Sequence, residues 1–171
     1  WLGHYAPRRG LAPLLSALGR DATGLSPTCA AVHTVLAPLL SVRHIWSAAT
    51  LLTLVHGLVG LGEGLTPSGD DCLVGLLAVL HLTGFLPALC SPAVREQFCQ
   101  CVHLGTSQLS SEFVCCALEG HFAEPVVNLM RALCTPDTGG WQAPAAALAA
   151  VGHSSGVDAM VGIALGCRLL A

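Results

Sequence analysis

Apolar residues recur along this chain at helical spacing, and glycine and proline divide them into runs of roughly 10 to 17 residues. None of these runs alternates with a period of two, and no hairpin dipeptide such as Asn-Gly joins two alternating runs. The pattern therefore predicts an all-α fold, a compact bundle of about eight or nine helices. Their expected bounds are 11–19, 28–40, 44–59, 69–83, 92–104, 109–120, 123–133, 142–151 and 155–170.

Two stretches without any charged residue, Ile45–Gly62 and Cys72–Val94, approach the roughly 20 residues that cross a bilayer. Both are interrupted by histidine and by glycine or proline, and neither has the flanking basic clusters or aromatic belts of membrane spans. A soluble bundle with a buried central helix pair explains the same composition, and we expect this rather than a membrane protein.

Composition narrows the function classes. The 171 residues are 53% hydrophobic and 10% charged, which excludes a disordered chain. The net charge of −3 and the absence of lysine exclude a basic nucleic-acid surface. Nine irregularly spaced cysteines contain no C-x-x-C pair, so a zinc ribbon is not supported, and a reducing cytoplasm is the simplest setting.

An internal echo links residues 68–75 with residues 155–162, since both segments read Ser-Gly-x-Asp-x-x-Val-Gly. In each copy we expect the serine to cap a helix and the aspartate to complete a capping box. The first glycine would leave backbone amides open to a ligand, and the second would permit close approach of another helix. We therefore expect the two helices to cross in the core with their N-termini together.

The first copy lies in a segment, 60–71, with four glycines, two hydroxyl groups and adjacent carboxylates around a helix start. Such a helix N-terminus favours a small anion. Asp70 and Asp71 could hold Mg²⁺ or accept a hydrogen bond from a substrate amide. A phosphate-binding loop is excluded because it requires a lysine, and the glycine spacing does not fit a dinucleotide fingerprint.

Two further segments are rich in hydroxyl groups. Residues 152–156 match G-x-S-x-G, but an alanine-rich helix precedes them and no histidine follows His153, so we reject a nucleophile elbow. His153 remains a candidate for proton transfer beside the second helix start. Residues 106–112 favour a capped helix start. Residues 1–27, rich in proline and glycine, are expected to form a solvated connector.

These segments together resemble the C-terminal part of the AllH-type family, a domain long listed without a function that includes a subunit of bacterial oxamate carbamoyltransferase. The resemblance rests on Gly-Leu-Gly-x-Gly-Leu-Thr-Pro-Ser-Gly-Asp-Asp at 60–71 and Gly-His-Ser-Ser-Gly-x-Asp at 152–158. Between them lie Thr106, Ser107, Ser110, Ala117 and Gly120. The resemblance covers residues 45–171, whereas residues 1–44, a connector with the first helices, show no match. Family members are longer, and we expect this chain to be a fragment.

The resemblance implies a carbamoyltransferase subunit that acts in allantoin degradation and purine catabolism, in the cytoplasm, with other subunits of a complex. The reaction interconverts oxamate and carbamoyl phosphate with oxalurate and phosphate. The phosphate signature of the aspartate and ornithine carbamoyltransferases is absent here, so any transferase chemistry uses another scaffold.

We expect Asp70, Asp71 and Asp158 to position an amide or a metal, and His153 to handle a proton. The candidate substrate-binding residues are Gly64, Thr66, Ser68, Gly69, Ser107, Ser154, Ser155 and Gly156. No cofactor is expected to be required, and if a metal takes part we expect Mg²⁺ at Asp70 and Asp71. The residues leave two functions open, a catalytic subunit with a small-anion pocket and a non-catalytic helical scaffold that binds a partner.

Overall fold

The computed structural model describes residues 9–17, 23–41, 47–135 and 140–170, and within them it contains ten helices and no strand. The predicted all-α bundle is confirmed, and each expected helix has a counterpart. The expected helical residues 18–19 and 44–46 lie outside the described part. The helices are α1 (Ala12–Ala17), α2 (Pro27–Ser41), α3 (Ala48–Leu58), α4 (Ser68–Leu82), α5 (Phe85–Leu89), α6 (Pro92–Gly105), α7 (Gln108–Leu118), α8 (Glu124–Cys134), α9 (Gln142–Ala149) and α10 (Ser155–Leu170).

The short helix α5 was not predicted from the sequence. It has five residues, includes Pro87, and follows Gly84, whose φ of 74° reverses the chain after α4. Five residues are too few to show a helical period, and proline is typical of a helix boundary. Residues 84–89 therefore look like a loop in the sequence.

A central pair of helices, α4 and α10, forms the middle of the bundle, and most residues of both are buried. The expected buried pair is thus confirmed. Its members are the two helices that begin with the echoed motif, so of the two uncharged stretches, 45–62 and 72–94, only the second contributes to the pair, through α4. The first of those stretches forms α3, which keeps an exposed side at Thr53 and His56.

Glycine lets the two central helices touch through their backbones. A Cβ atom on Gly75 would overlap the carbonyl oxygen of Ala159, and one on Gly162 would overlap that of Cys72. Farther along, a Cβ atom on Gly166 would lie 2.8 Å from that of Val79. Because the contacts advance together along both helices, α4 and α10 run in the same direction and begin at the same end of the bundle.

The other helices surround this pair. α7 packs on α4, α3 packs on α4 and α6, and α9 packs on α8 and α10. α1 contacts α10, and both Leu14 of α1 and Leu11, just before it, are buried in the main core, so the expected solvated connector is wrong for these residues. Across the described ranges, no helix is long and apolar enough to span a membrane.

Candidate functional site

The two echoed helix starts meet at one end of the central pair. The hydroxyl oxygens of Thr66 and Ser155 lie 2.9 Å apart, although 89 residues separate them in the chain. Ser155 also hydrogen-bonds to the side chain of Asp71, and Ser68 to that of Asp158. Each serine thus hydrogen-bonds to the aspartate of the other helix.

This exchange replaces the expected capping boxes. Helix α4 begins at Ser68 itself, after Pro67, and has no side-chain cap. The predicted open amides are also engaged, since Gly69 N–H donates to Leu61 (2.8 Å) and Gly156 N–H donates to Val151 (3.1 Å). Both glycines face the backbone of the preceding helix and not a ligand. The capping-box prediction is wrong because each aspartate reaches across to its neighbour.

Asp71 is the ionisable group whose environment is most relevant to chemistry. Burial raises the pKa of its carboxyl from 3.8 to about 7, and the nearby charges of Asp158 and Asp70 add to this increase. The hydroxyl groups of Ser155 and Thr66 hydrogen-bond to the side chain and oppose it. The Oδ2 atom of Asp71 is buried and, within the described residues, has no hydrogen-bond partner. This oxygen can therefore accept a hydrogen bond from a bound molecule.

Asp158 occupies the corresponding place on α10 and is fully buried. Its Oδ1 accepts the backbone N–H of Leu11 at 2.6 Å. Burial raises the pKa of this carboxyl, while the Leu11 N–H and the hydroxyls of Ser68 and Ser154 oppose the increase. One oxygen of Asp158 is therefore occupied by the chain itself, while its Oδ2, like that of Asp71, is buried without a hydrogen-bond partner among the described residues.

Asp70, next to Asp71, faces a different set of partners. Its Oδ1 accepts the N–H of Gly60 at 2.8 Å, and its Oδ2 accepts the hydroxyls of Ser110 at 2.7 Å and of Thr106. The carboxylate is fully buried, and it ties the glycine-rich loop and the start of α7 to α4. The hydroxyl groups around the start of α7 are visible in the sequence, but their shared partner, Asp70, is about 40 residues away and is not.

We expect Asp70→Ala to lower the free energy of unfolding by about 3 kcal/mol, because it leaves three buried donors without an acceptor. Urea unfolding of the full chain measures this. Glu63→Ala, in the exposed part of the same loop, is the matched control and should change stability by less than about 0.5 kcal/mol. Equal stability of the two variants would contradict the assigned role of Asp70.

A cavity of about 300 Å³ opens beside the two helix starts. Its polar end is formed by Asp71, Thr66 and Ser155, and the described part of its wall contains no basic side chain. The remainder of its wall is Val74, Phe113, Ala123, Pro125, Val126, Leu148, Val151, Gly152, Gly156 and Ala159. The structure thus combines a half-buried carboxyl, two hydroxyls and an apolar chamber.

Other predicted residues lie outside this cavity wall. His153 is exposed in the turn before α10, and Gly64 is exposed in the glycine-rich loop. Ser107 caps α7 by accepting the N–H of Ser110 at 3.1 Å, as its sequence pattern predicts, and it donates to the carbonyl oxygen of Leu65. The described residues contain no group of three or more His, Cys, Asp or Glu side chains that could hold a metal ion.

A larger depression of about 440 Å³ lies at the other end of α4. It is lined by His81, Arg131 and Cys134 among others, and by none of the candidate catalytic or substrate-binding residues predicted from the sequence. All three of these side chains are exposed. It lacks a buried polar group, so the Asp71 cavity is the better candidate for chemistry.

The raised pKa of Asp71 predicts how stability depends on pH. Its folded-state pKa lies above the unfolded value, so the contribution of this group to stability is present below about pH 4 and is lost as pH rises to about 7. Asp71→Asn should remove this loss. We expect the variant to be about 1 kcal/mol more stable than the parent at pH 8, after allowance for solvent screening, with a smaller difference at pH 5. Urea unfolding at both pH values tests this, and a variant less stable at pH 8 would contradict it.

The family model described as oxamate carbamoyltransferase subunit AllH matches residues 58–167, from the end of α3 to α10. The matched region contains both helix starts and all three aspartates described above. No solved structure matches the chain.

Proposed function

The chain belongs to the family of the oxamate carbamoyltransferase subunit AllH, and from this premise we propose that it acts in a carbamoyltransferase complex. The reaction is the interconversion of oxamate and carbamoyl phosphate with oxalurate and phosphate. The contribution of this chain is the cavity at Asp71, which receives a small anionic substrate. The proposal places the complex in the cytoplasm and in the degradation of allantoin and other purine products.

The observation that supports this most is the position of Asp71. Its carboxyl lies at the polar end of a partly open cavity, beside the N-termini of two helices that run in the same direction. The N–H groups of Gly69 and Gly156 are engaged by backbone carbonyls, so what favours an anion here is the partial positive charge that two helix dipoles place at this end. Thr66 and Ser155 supply hydroxyl donors at the same place. Oxamate has six heavy atoms and is therefore small enough to fit a cavity of about 300 Å³.

Asp71 also suits the proton transfer that the reaction needs. The nitrogen of oxamate forms a bond to the carbamoyl carbon, the bond from that carbon to the phosphate oxygen breaks, and phosphate leaves with the electron pair. The attacking nitrogen must lose a proton, which an ionised Asp71 can accept and pass to phosphate or solvent. A carboxyl with a pKa of about 7 is half ionised near neutral pH, where a general base is most effective.

Within this proposal the other polar residues have distinct roles. Asp70 and Asp158 are positioning residues, because their hydrogen-bond partners are groups of the chain. His153 is exposed beside the second helix start, where it can exchange protons with solvent. The reaction requires no resident cofactor in this scheme, and a Mg²⁺ ion would enter as the counterion of carbamoyl phosphate.

Reconstitution tests the proposal. The full chain is combined with the partner subunits, and oxalurate formed from oxamate and carbamoyl phosphate is measured with and without it. We expect no oxalurate when this chain is omitted. Full turnover by the remaining subunits would show that the chain is not needed for the reaction.

A partner-binding scaffold is the alternative, and exposed apolar side chains favour it. Leu65 is 70% exposed and Leu104 is 81% exposed, and Phe113 is half exposed at the cavity wall. The contact of Ser107 with the carbonyl of Leu65 places the glycine-rich loop beside the start of α7. Another subunit of the complex could cover this apolar area. If so, substitutions of Asp71 would leave turnover unchanged while substitutions of Leu104 would weaken assembly.

A further inference from the structure

The central helices and their surroundings have internal two-fold symmetry. A Cβ atom on Gly75 would lie 3.0 Å from the nitrogen of Ile163, and one on Gly162 would lie 2.9 Å from the nitrogen of Leu76. Residue n of α4 therefore corresponds to residue n + 87 of α10, which is also the offset of the echoed motif. Asp71 and Asp158 are counterparts under this relation.

The symmetry extends to the preceding helices. A Cβ atom on Gly69 would overlap the carbonyl oxygen of Leu58 at the end of α3, and one on Gly156 would overlap that of Leu148 near the end of α9. The hydrogen bonds of these two glycines correspond in the same way, since the N–H of Gly69 donates to the carbonyl of Leu61 and that of Gly156 to the carbonyl of Val151. Two helix pairs, α3–α4 and α9–α10, thus build two equivalent hollows around the two aspartates.

The two hollows differ in what fills them. The counterparts of the apolar cavity-wall residues Leu148, Val151, Ala159 and Val74 are Leu58, Leu61, Cys72 and Val161. These counterparts share one core cluster with Leu11, whose side chain is fully buried. The hollow at Asp158 is therefore filled by the chain, whereas the hollow at Asp71 is the open cavity.

The group that meets Asp158 is a peptide amide. The N–H of the bond between Gly10 and Leu11 donates to Asp158 at 2.6 Å, and the backbone of Gly10 passes so close that a Cβ atom would overlap this carboxylate. The chain has thus placed an amide N–H against the aspartate of one hollow. Both aspartates keep a buried Oδ2 without a hydrogen-bond partner within the described residues. Asp71 differs in that it lines the open cavity and, among those residues, no backbone N–H donates to it.

We propose that the Asp71 cavity recognises the amide N–H of a small carboxamide, in the manner in which Asp158 binds the Gly10–Leu11 amide. This inference rests on the proposed function, since it takes oxamate as the ligand, and it identifies the feature of oxamate that is recognised. The amide nitrogen of oxamate would donate to Asp71, and the hydroxyls of Thr66 and Ser155 would turn their protons from Asp71 to the carboxylate of oxamate. The reacting nitrogen would then lie at the proposed proton acceptor.

Oxamate and pyruvate provide a matched pair of probes, because pyruvate carries a methyl group where oxamate carries its amino group. Both are titrated calorimetrically at pH 8 into the full chain and into the assembled complex. A hydrogen bond to a charged acceptor predicts that oxamate binds about 10- to 100-fold more tightly than pyruvate. In Asp71→Ala this ratio should fall towards one, while Glu63→Ala, which removes an exposed acid of the same loop, should keep it.

Each outcome has a separate meaning. Equal affinity for oxamate and pyruvate in the parent would overturn amide recognition and leave the anion cavity intact. A preference for oxamate that survives in Asp71→Ala would also overturn it, because another residue would then be the acceptor. Binding of neither ligand, to the chain or to the complex, would remove the proposed function itself.

Discussion

Replacing Gly162 with alanine is expected to lower the free energy of unfolding by at least about 4 kcal/mol, or to prevent folding. The added methyl group would overlap the carbonyl oxygen of Cys72, which belongs to the backbone of α4 and cannot rotate away. This change is opposite to the usual one, because replacing glycine with alanine within a helix normally raises the free energy of unfolding by up to about 1 kcal/mol. Gly75→Ala should behave in the same way against Ala159.

Gly140→Ala is the control for these variants, since a Cβ atom at Gly140 would meet nothing within 4 Å. We expect it to unfold at the same urea concentration as the parent. Circular dichroism during urea titration measures all three variants. A Gly162→Ala protein as stable as the parent would show that the central helices do not touch through their backbones.

Asp71→Asn is expected to reduce turnover of the reconstituted complex by at least about 100-fold, because asparagine cannot accept the proton from the attacking nitrogen. The same variant should be at least as stable as the parent at pH 8, since it removes a partly buried charge. Loss of activity without loss of stability distinguishes a reacting group from a structural one. Oxalurate formation and urea unfolding are measured on the same preparations.

The scaffold alternative makes the opposite prediction for this variant. If the cavity has no part in catalysis, Asp71→Asn should form oxalurate at the parental rate once the complex is assembled. Sedimentation of the complex provides the necessary control, since it shows that the variant has bound its partners. An active, fully assembled Asp71→Asn complex would remove Asp71 from the mechanism.

Much of the architecture could be predicted from the sequence because helical periodicity is a local signal. The echo of residues 68–75 in residues 155–162 also indicated that two helices would meet, since each copy carries a glycine one turn beyond its aspartate. The structure brings Gly75 and Gly162 together in the predicted way. Helix α5 was missed because its five residues show no period.

The hydrogen bonds of the site were harder to predict because their partners are distant in the chain. The motif Ser-Gly-x-Asp allows a capping box within one helix and also an exchange between two helices, and only the fold decides between them. The partner of Asp158 is the backbone of Leu11, 147 residues away. A backbone N–H leaves no signal in the sequence.

Asp70 and Asp71 show the same limit at adjacent positions. One turns towards the loop and the start of α7, where Gly60 and Ser110 donate to it. The other turns towards α10 and the cavity. Their equal residue type suggested a shared metal or amide site in the sequence, whereas the 100° step between neighbouring helical residues directs them to different partners.

If the substrate occupies the chamber beside Asp71, filling that chamber must abolish binding. Ala123 is an exposed residue of the cavity wall at the start of α8, so Ala123→Trp can block the chamber without disturbing the core. Ala146→Trp, on an exposed side of α9 outside the wall, is the matched control. Calorimetric titration of oxamate into both variants, in the assembled complex, should show binding lost in Ala123→Trp and retained in Ala146→Trp. Parental affinity in a folded Ala123→Trp protein would contradict the account.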